Sequence, residues 1–123
     1  MASEHLRRKV VVYTRDLIAA HGRTNKLPAT IIGAEYAGMK KVDCSGRAPT
    51  PLSNSLEDAL LKIAPIGTKG KDNYVGCCCE VRASNQILQR RIAPLKNIQF
   101  TDAIRPRTNQ VISRCLNCQT VFG

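Results

Sequence analysis

The sequence contains no tryptophan and only five other aromatic residues, three Tyr and two Phe, in 123 positions. So small a set argues against affinity built from many stacked bases. Histidine is nearly missing: His5 and His21 are the two present, and both read as surface or helix-end residues. Acidic side chains are scarce, nine Asp plus Glu against nineteen Lys plus Arg, for a formal charge of +10. That balance excludes a strongly acidic binder and points toward polyanions. No stretch reaches the roughly 18 consecutive apolar residues of a membrane span. The opening Met-Ala-Ser-Glu-His has no apolar segment of the kind a secretory signal needs. Internal repeats and low-complexity tracts are absent.

What is present suits one domain over residues 1–123. At 43% hydrophobic residues, the chain can build a core without disulfide staples. The positive charge is uneven, with nine basic and six acidic residues through Leu61 but ten and three from Lys62 onward. The second half is therefore expected to meet the anion. Cysteine is plentiful and clustered, at 44, 77, 78, 79, 115 and 118. Three in a row cannot all pair locally in relaxed disulfide geometry, so metal or thiol chemistry in a reducing compartment is expected.

Leu6, Val10, Tyr13 and Leu17 form one stripe of an amphipathic helix from Ser3 to Ala20, stopped at His21 and Gly22. Residues 29–36 and 40–44 read as a hairpin turned at Gly38. Ser55 is a predicted N-cap for a second helix of about ten residues. The segment from Gly67 to Asn73 reads as a loop with little reason to pack. A third helix starts at Cys78, carries Val81, Ser84, Leu88 and Ile92 on one face, and is stopped by Pro94. A strand follows over Ile98–Ile104. The order predicts an α/β layered domain.

The chemistry sits in Cys78, Glu80, Cys115 and Cys118. The Cys-x-x-Cys pair offers two thiolates to a zinc ion and Cys78 a third, leaving the fourth position to water, as in catalytic rather than structural sites. Zinc lowers the pKa of that water to about 7, and Glu80 stands two residues on to move its proton. A Cys or His, then Glu two residues later, then a distant Cys-x-x-Cys is the pattern of zinc nucleobase deaminases. Two other readings compete. One is a closed structural zinc site, drawing on two of Cys77, Cys78 and Cys79, within a nucleic-acid-binding module without catalysis. The other is a thiol oxidoreductase using Cys115 and Cys118. Cys44 and the unligated members of the triplet read as small buried hydrophobes.

Gly-Cys-Cys-Cys-Glu-Val-Arg-Ala-Ser-Asn-Gln-Ile-Leu at 76–88, Pro-Ala-Thr-Ile-Ile-Gly-Ala at 28–34 and Arg-Cys-Leu-Asn-Cys-Gln at 114–119 together resemble the YwqJ-like deaminases of bacterial polymorphic toxins. The resemblance spans roughly residues 28–119. It implies a cytidine deaminase-like layered fold, a mixed β-sheet flanked by helices, shortened at the C-terminal side because five residues follow Cys118. It implies Cys78, Cys115 and Cys118 as Zn2+ ligands and Glu80 as the proton shuttle of a hydrolase that converts cytosine to uracil. Single-stranded DNA is the favoured substrate, since a duplex adds a base-flipping cost. The resemblance further implies delivery within a larger secreted toxin, action in the cytoplasm of a target bacterium, and a cognate immunity protein. A monomer without membrane contact is expected. By position, Gly33, Ala34 and Tyr74 are candidates for the base pocket, and Arg82, Arg107 and Arg114 for contacts to the nucleic-acid backbone. Tyr36 and Tyr74 are candidates for stacking on a base, although a half-buried core position is the favoured reading for each.

Overall fold

The computed structural model describes residues 2–123. The first helix, α1, runs Glu4–His21 and buries Leu6 and Val10 of the expected stripe, but then Thr14 rather than Tyr13, with Tyr13 and Leu17 only partly buried. Gly22, with φ +68°, closes it by donating to the Ile18 carbonyl. The hairpin forms as predicted: β1 (Ile31–Tyr36) pairs antiparallel with β2 (Met39–Cys44), in register from Ile31 opposite Cys44 to Tyr36 opposite Met39. Its two-residue turn, Ala37–Gly38, takes positive φ at both positions, the twist that a tight hairpin requires.

Helix α2 (Asn54–Leu61) is capped by Ser53 rather than Ser55. Ser53 Oγ accepts the Leu56 N–H at 3.3 Å, and its own N–H donates to Asn85 Oδ1 at 2.9 Å, which ties the cap to the next helix. Helix α3 (Cys79–Leu88) ends well before Pro94. Arg90 and Arg91 both donate to the Ile87 carbonyl as the helix unwinds. Ile92, predicted on the buried face, is 97% exposed, and Ala93 turns inward in its place.

The expected strand Ile98–Ile104 is two short pieces, β3 (Gln99–Phe100) and β4 (Ala103–Ile104). Both pair with β1, but Ala34 faces Phe100 whereas Ile31 faces Ile104, so one extra residue lies between them on the second strand. This is a β-bulge. It sends Asp102 to solvent while Ala103 is buried, which removes the conflict of a charged residue on an apolar face. A further strand, β5 (Val111–Ile112), pairs with β4, and α4 (Leu116–Phe122) closes the described chain. The sheet order is β2-β1-β4-β5, with β3 also on β1. Every pairing is antiparallel, where a mixed sheet was expected, because each strand after α3 returns against β1 or β4.

The α/β architecture is layered, with β1 buried on both faces. On one side a Cβ on Gly33 would lie 2.8 Å from Leu6 and 2.9 Å from Val10, so the glycine lets α1 pack onto the strand. On the other side Ile32 and Ala34 pack against Cys79, Ala83 and Ile87 of α3. A second cluster joins α2, α3 and α4 through Leu56, Leu60, Val81, Cys118 and Phe122. The three layers therefore bring the N-terminal ends of α3 and α4 together.

Ser3 fastens α1 to the sheet. Its Oγ accepts the Leu6 N–H at 3.2 Å and donates to Glu35 Oε1 at 2.7 Å, and its N–H donates to the same oxygen at 3.1 Å. Burial by itself would raise the Glu35 carboxyl, but these two bonds and Lys40, 3.8 Å away, bring it below its ordinary 4.5. A carboxylate depressed in the folded state stabilises above its unfolded pKa, and the contribution fades as pH falls through the folded value. Wild type is therefore expected to have a higher urea midpoint than Glu35→Gln at neutral pH, with the two converging below about pH 4. An undiminished gap at pH 3 would refute this.

Candidate metal centre

Cys78 is the N-cap of α3 and Cys115 the N-cap of α4, both in extended backbone conformation. Cys118 follows one turn into α4 and is completely buried. The sulfurs of Cys78, Cys115 and Cys118 all lie within 4.8 Å of one another, and Cys78 and Cys115 are 3.1 Å apart. These three can hold a metal ion, and soft thiolate donors converging in this way suit zinc. Among the described residues no fourth Cys, His, Asp or Glu joins the group. Cys115 is held down to about 3 by hydrogen bonds from Cys118 and then Cys78. Its two donors are pushed up by that bonding, and burial adds to the effect. Metal uptake at such a cluster displaces thiol protons.

A loop predicted to pack little organises the centre. Asp72 receives the Leu116 N–H on both carboxylate oxygens at 3.0 Å, which satisfies the start of α4. Asn117, buried inside the Cys-x-x-Cys, accepts the Lys71 N–H at 2.9 Å and donates to the Asn73 carbonyl at 2.8 Å. Asn73 in turn donates to Cys78 Sγ at 3.5 Å, the kind of outer bond that orients a ligand. Asn117→Ala leaves the Lys71 and Asn73 backbone groups without these partners. It is expected to cost about 1–3 kcal/mol of stability and to weaken metal binding roughly 10–100-fold. Denaturation and competitive chelator titration would check both effects.

Glu80 stands in the first turn of α3 and is 4% exposed. Oε1 accepts the Cys79 thiol at 3.2 Å, and Oε2 lies 3.9 Å from Arg114 Nε. Burial, followed by the Glu80 charge, pushes the Cys79 thiol up, so Cys79 acts as a buried donor in the core, as expected of the unligated cysteines. Cys44 and Cys77 are only partly buried. Glu80, Cys78 and Cys115 line a cleft of about 290 Å³ that also receives Thr30, Ser45 and Asn73. Glu80 borders a second cavity of about 500 Å³ as well, with Thr101, Ser113 and Arg114. A carboxylate therefore shares an open cleft with two of the three metal-competent sulfurs.

Of the other predicted site residues, Arg114 reaches the centre and the rest fall elsewhere. Gly33 lies beneath α1 and Ala34 is wholly buried against α3, so neither lines the cleft. Tyr74 is 56% exposed and outside the cleft lining, whereas Tyr36 is the half-buried residue packed on the core. Arg82 is tied down, donating to the Arg47 carbonyl at 2.6 Å and sitting 3.5 Å from Asp43. Arg107 is exposed on the β4–β5 turn. Arg114 reaches Glu80, lies over the Phe100 ring at 5.0 Å and donates to the Gly123 carbonyl. Thr30, Ser45, Asn73 and Ser113 carry no spacing signal. The hairpin register brings the first two together, with the Ser45 N–H donating to the Thr30 carbonyl at 3.0 Å. Against protein-family models, curated proteins and solved structures, the chain finds no match.

Proposed function

We propose that this chain is a zinc-dependent deaminase that converts cytosine to uracil within a nucleic-acid strand, single-stranded DNA by preference. The observation that carries the reading is Glu80, a buried carboxylate that lines the same cleft as Cys78 and Cys115 of the three-cysteine group. Zinc held by three protein ligands supplies an activated water near neutral pH. Glu80 takes one proton from the attacking water and gives it to the ring nitrogen as the water oxygen bonds to the amine-bearing carbon. It then carries that oxygen's second proton to the amine, which leaves as the C–N bond breaks. Cytosine and water thus become uracil and ammonia. Arg114 holds one Glu80 oxygen and Cys79 the other, which aims the carboxylate without further ordering. A cleft of about 290 Å³ lies at the small end of ligand pockets and suits one extruded base.

The charge of +10 is more than a free nucleoside needs and suits phosphates on either side of the target base. With this reading go membership of the YwqJ-like toxin deaminases, action inside a target bacterium, and an immunity protein that covers the basic face. The test is incubation of zinc-loaded protein with a single-cytosine DNA oligonucleotide, followed by uracil glycosylase and alkali. Strand cleavage at that cytosine is expected. Intact DNA, together with no ammonia release from cytosine-containing RNA or duplex DNA, would overturn the proposal in favour of a structural metal site.

A further inference from the structure

The first half of the chain carries a groove that the cysteine centre does not use. It lies between α1 and β2, on the sheet face opposite α3, with a volume of about 520 Å³. Its floor is apolar, formed by Val12, Tyr13 and Val42, and Val12 remains 51% exposed. Its banks are cationic on both sides, Arg8 and Lys9 from α1 and Lys40 from β2, with Asp16 as the single acid among the lining residues. Lys41 also borders the groove, but its register opposite Ala34 assigns its side chain to the α3 face. Arg8 lies 4.0 Å from Glu4 and Lys40 3.8 Å from Glu35, whereas Lys9 makes no ion pair among the described residues. Opposed banks of one sign over a low-dielectric floor concentrate the field along the groove.

We propose that this groove is a second contact for a nucleic-acid strand, holding phosphates on its cationic banks and sugar or base surface on its apolar floor. The choice of a nucleic acid as occupant rests on the proposed deaminase reading. Geometry supports the connection. Ser45, on the rim of the cleft, is four residues from Lys41, about 13 Å along β2. Because β2 is the edge of the sheet, no further strand blocks the way around it. Arg47, exposed, and Arg82 stand along that path. A strand with its target base in the cleft can then reach the groove within a few nucleotides.

The test compares wild type with the Arg8→Gln/Lys9→Gln double variant, both positions being exposed on α1, with circular dichroism as the folding control. Fluorescence anisotropy on a cytosine-free 20-mer of thymidylate measures binding without chemistry. Losing two phosphate contacts should flatten the slope of log affinity against log salt by about 1.4, or roughly 25-fold weaker binding at 0.1 M salt. Deamination of a 20-mer should fall with it, and that of a trinucleotide with cytosine at its centre, too short to reach the groove, should not. Unchanged affinity and slope in a folded variant overturn the proposal, as does equal wild-type affinity for polyglutamate or phosphatidylserine vesicles. A wild type that binds through the groove but does not deaminate refutes the enzyme reading alone. Unchanged binding with intact deamination refutes the groove alone.

Discussion

Glu80→Ala is expected to lower deamination of a single-stranded cytosine substrate by about 10²–10⁴-fold, the contribution of a positioned general acid–base group, with metal content retained. The separation is possible because Glu80 is not a member of the three-sulfur group, and its carboxylate partners are Arg114 and the Cys79 thiol rather than the ligands. Removing it leaves Cys78, Cys115 and Cys118 in place. Glu80→Gln sharpens the test, since the amide keeps the size and an acceptor oxygen for Cys79 but cannot pass a proton. If Glu80→Gln kept a tenth or more of wild-type activity, the proton-transfer role would be lost to a purely positional one. If both variants bound zinc and DNA normally and no protein form deaminated, the centre would be structural.

How far the sequence foretold this arrangement differs from residue to residue, for physical reasons. Cys78, Glu80 and the Cys115–Cys118 pair could be read because ligand chemistry demands particular residue types at short spacings, and spacing survives in one dimension. The α1 stripe and the hairpin could be read because 3.6- and 2-residue periods are local. Gly33 and Ala34 misled because β1 is buried on both faces, so a strand residue near the site had no open side from which to line a pocket. Arg82 and Arg114 looked like free cations, but Asp43 and Glu80, distant in sequence, are their partners. The 70–73 loop looked unpacked because its anchor, Asn117, is 46 residues from Lys71. A bulge between Phe100 and Ala103 displaced the alternation that would have set a single strand. Each miss involves a contact that only the folded chain makes.

Cys118→Ser is expected to abolish stoichiometric zinc binding and to cost most of the stability that the metal contributes. Two thiols cannot replace three, and the serine oxygen would sit fully buried among Leu56, Leu60, Val75 and Val121 in a site built for sulfur. Binding energy at a site that the unfolded chain lacks is folding energy. At free zinc about 1,000 times its dissociation constant the gain is about 4 kcal/mol, on the order of 15 °C in Tm for a domain of this size. Chelation should therefore lower the wild-type Tm by about that amount. Cys118→Ser should start near the chelated value and ignore the chelator. Cys44→Ser is the control, because Cys44 lies on β2 outside the cluster and should leave the chelator response intact. The same experiment separates a metal centre from a redox pair. Thiols that hold zinc react with a thiol reagent only after chelation, whereas a Cys115–Cys118 redox couple reacts equally with and without it. A wild-type Tm and thiol count that are both indifferent to chelator would remove the metal, and with it the deaminase.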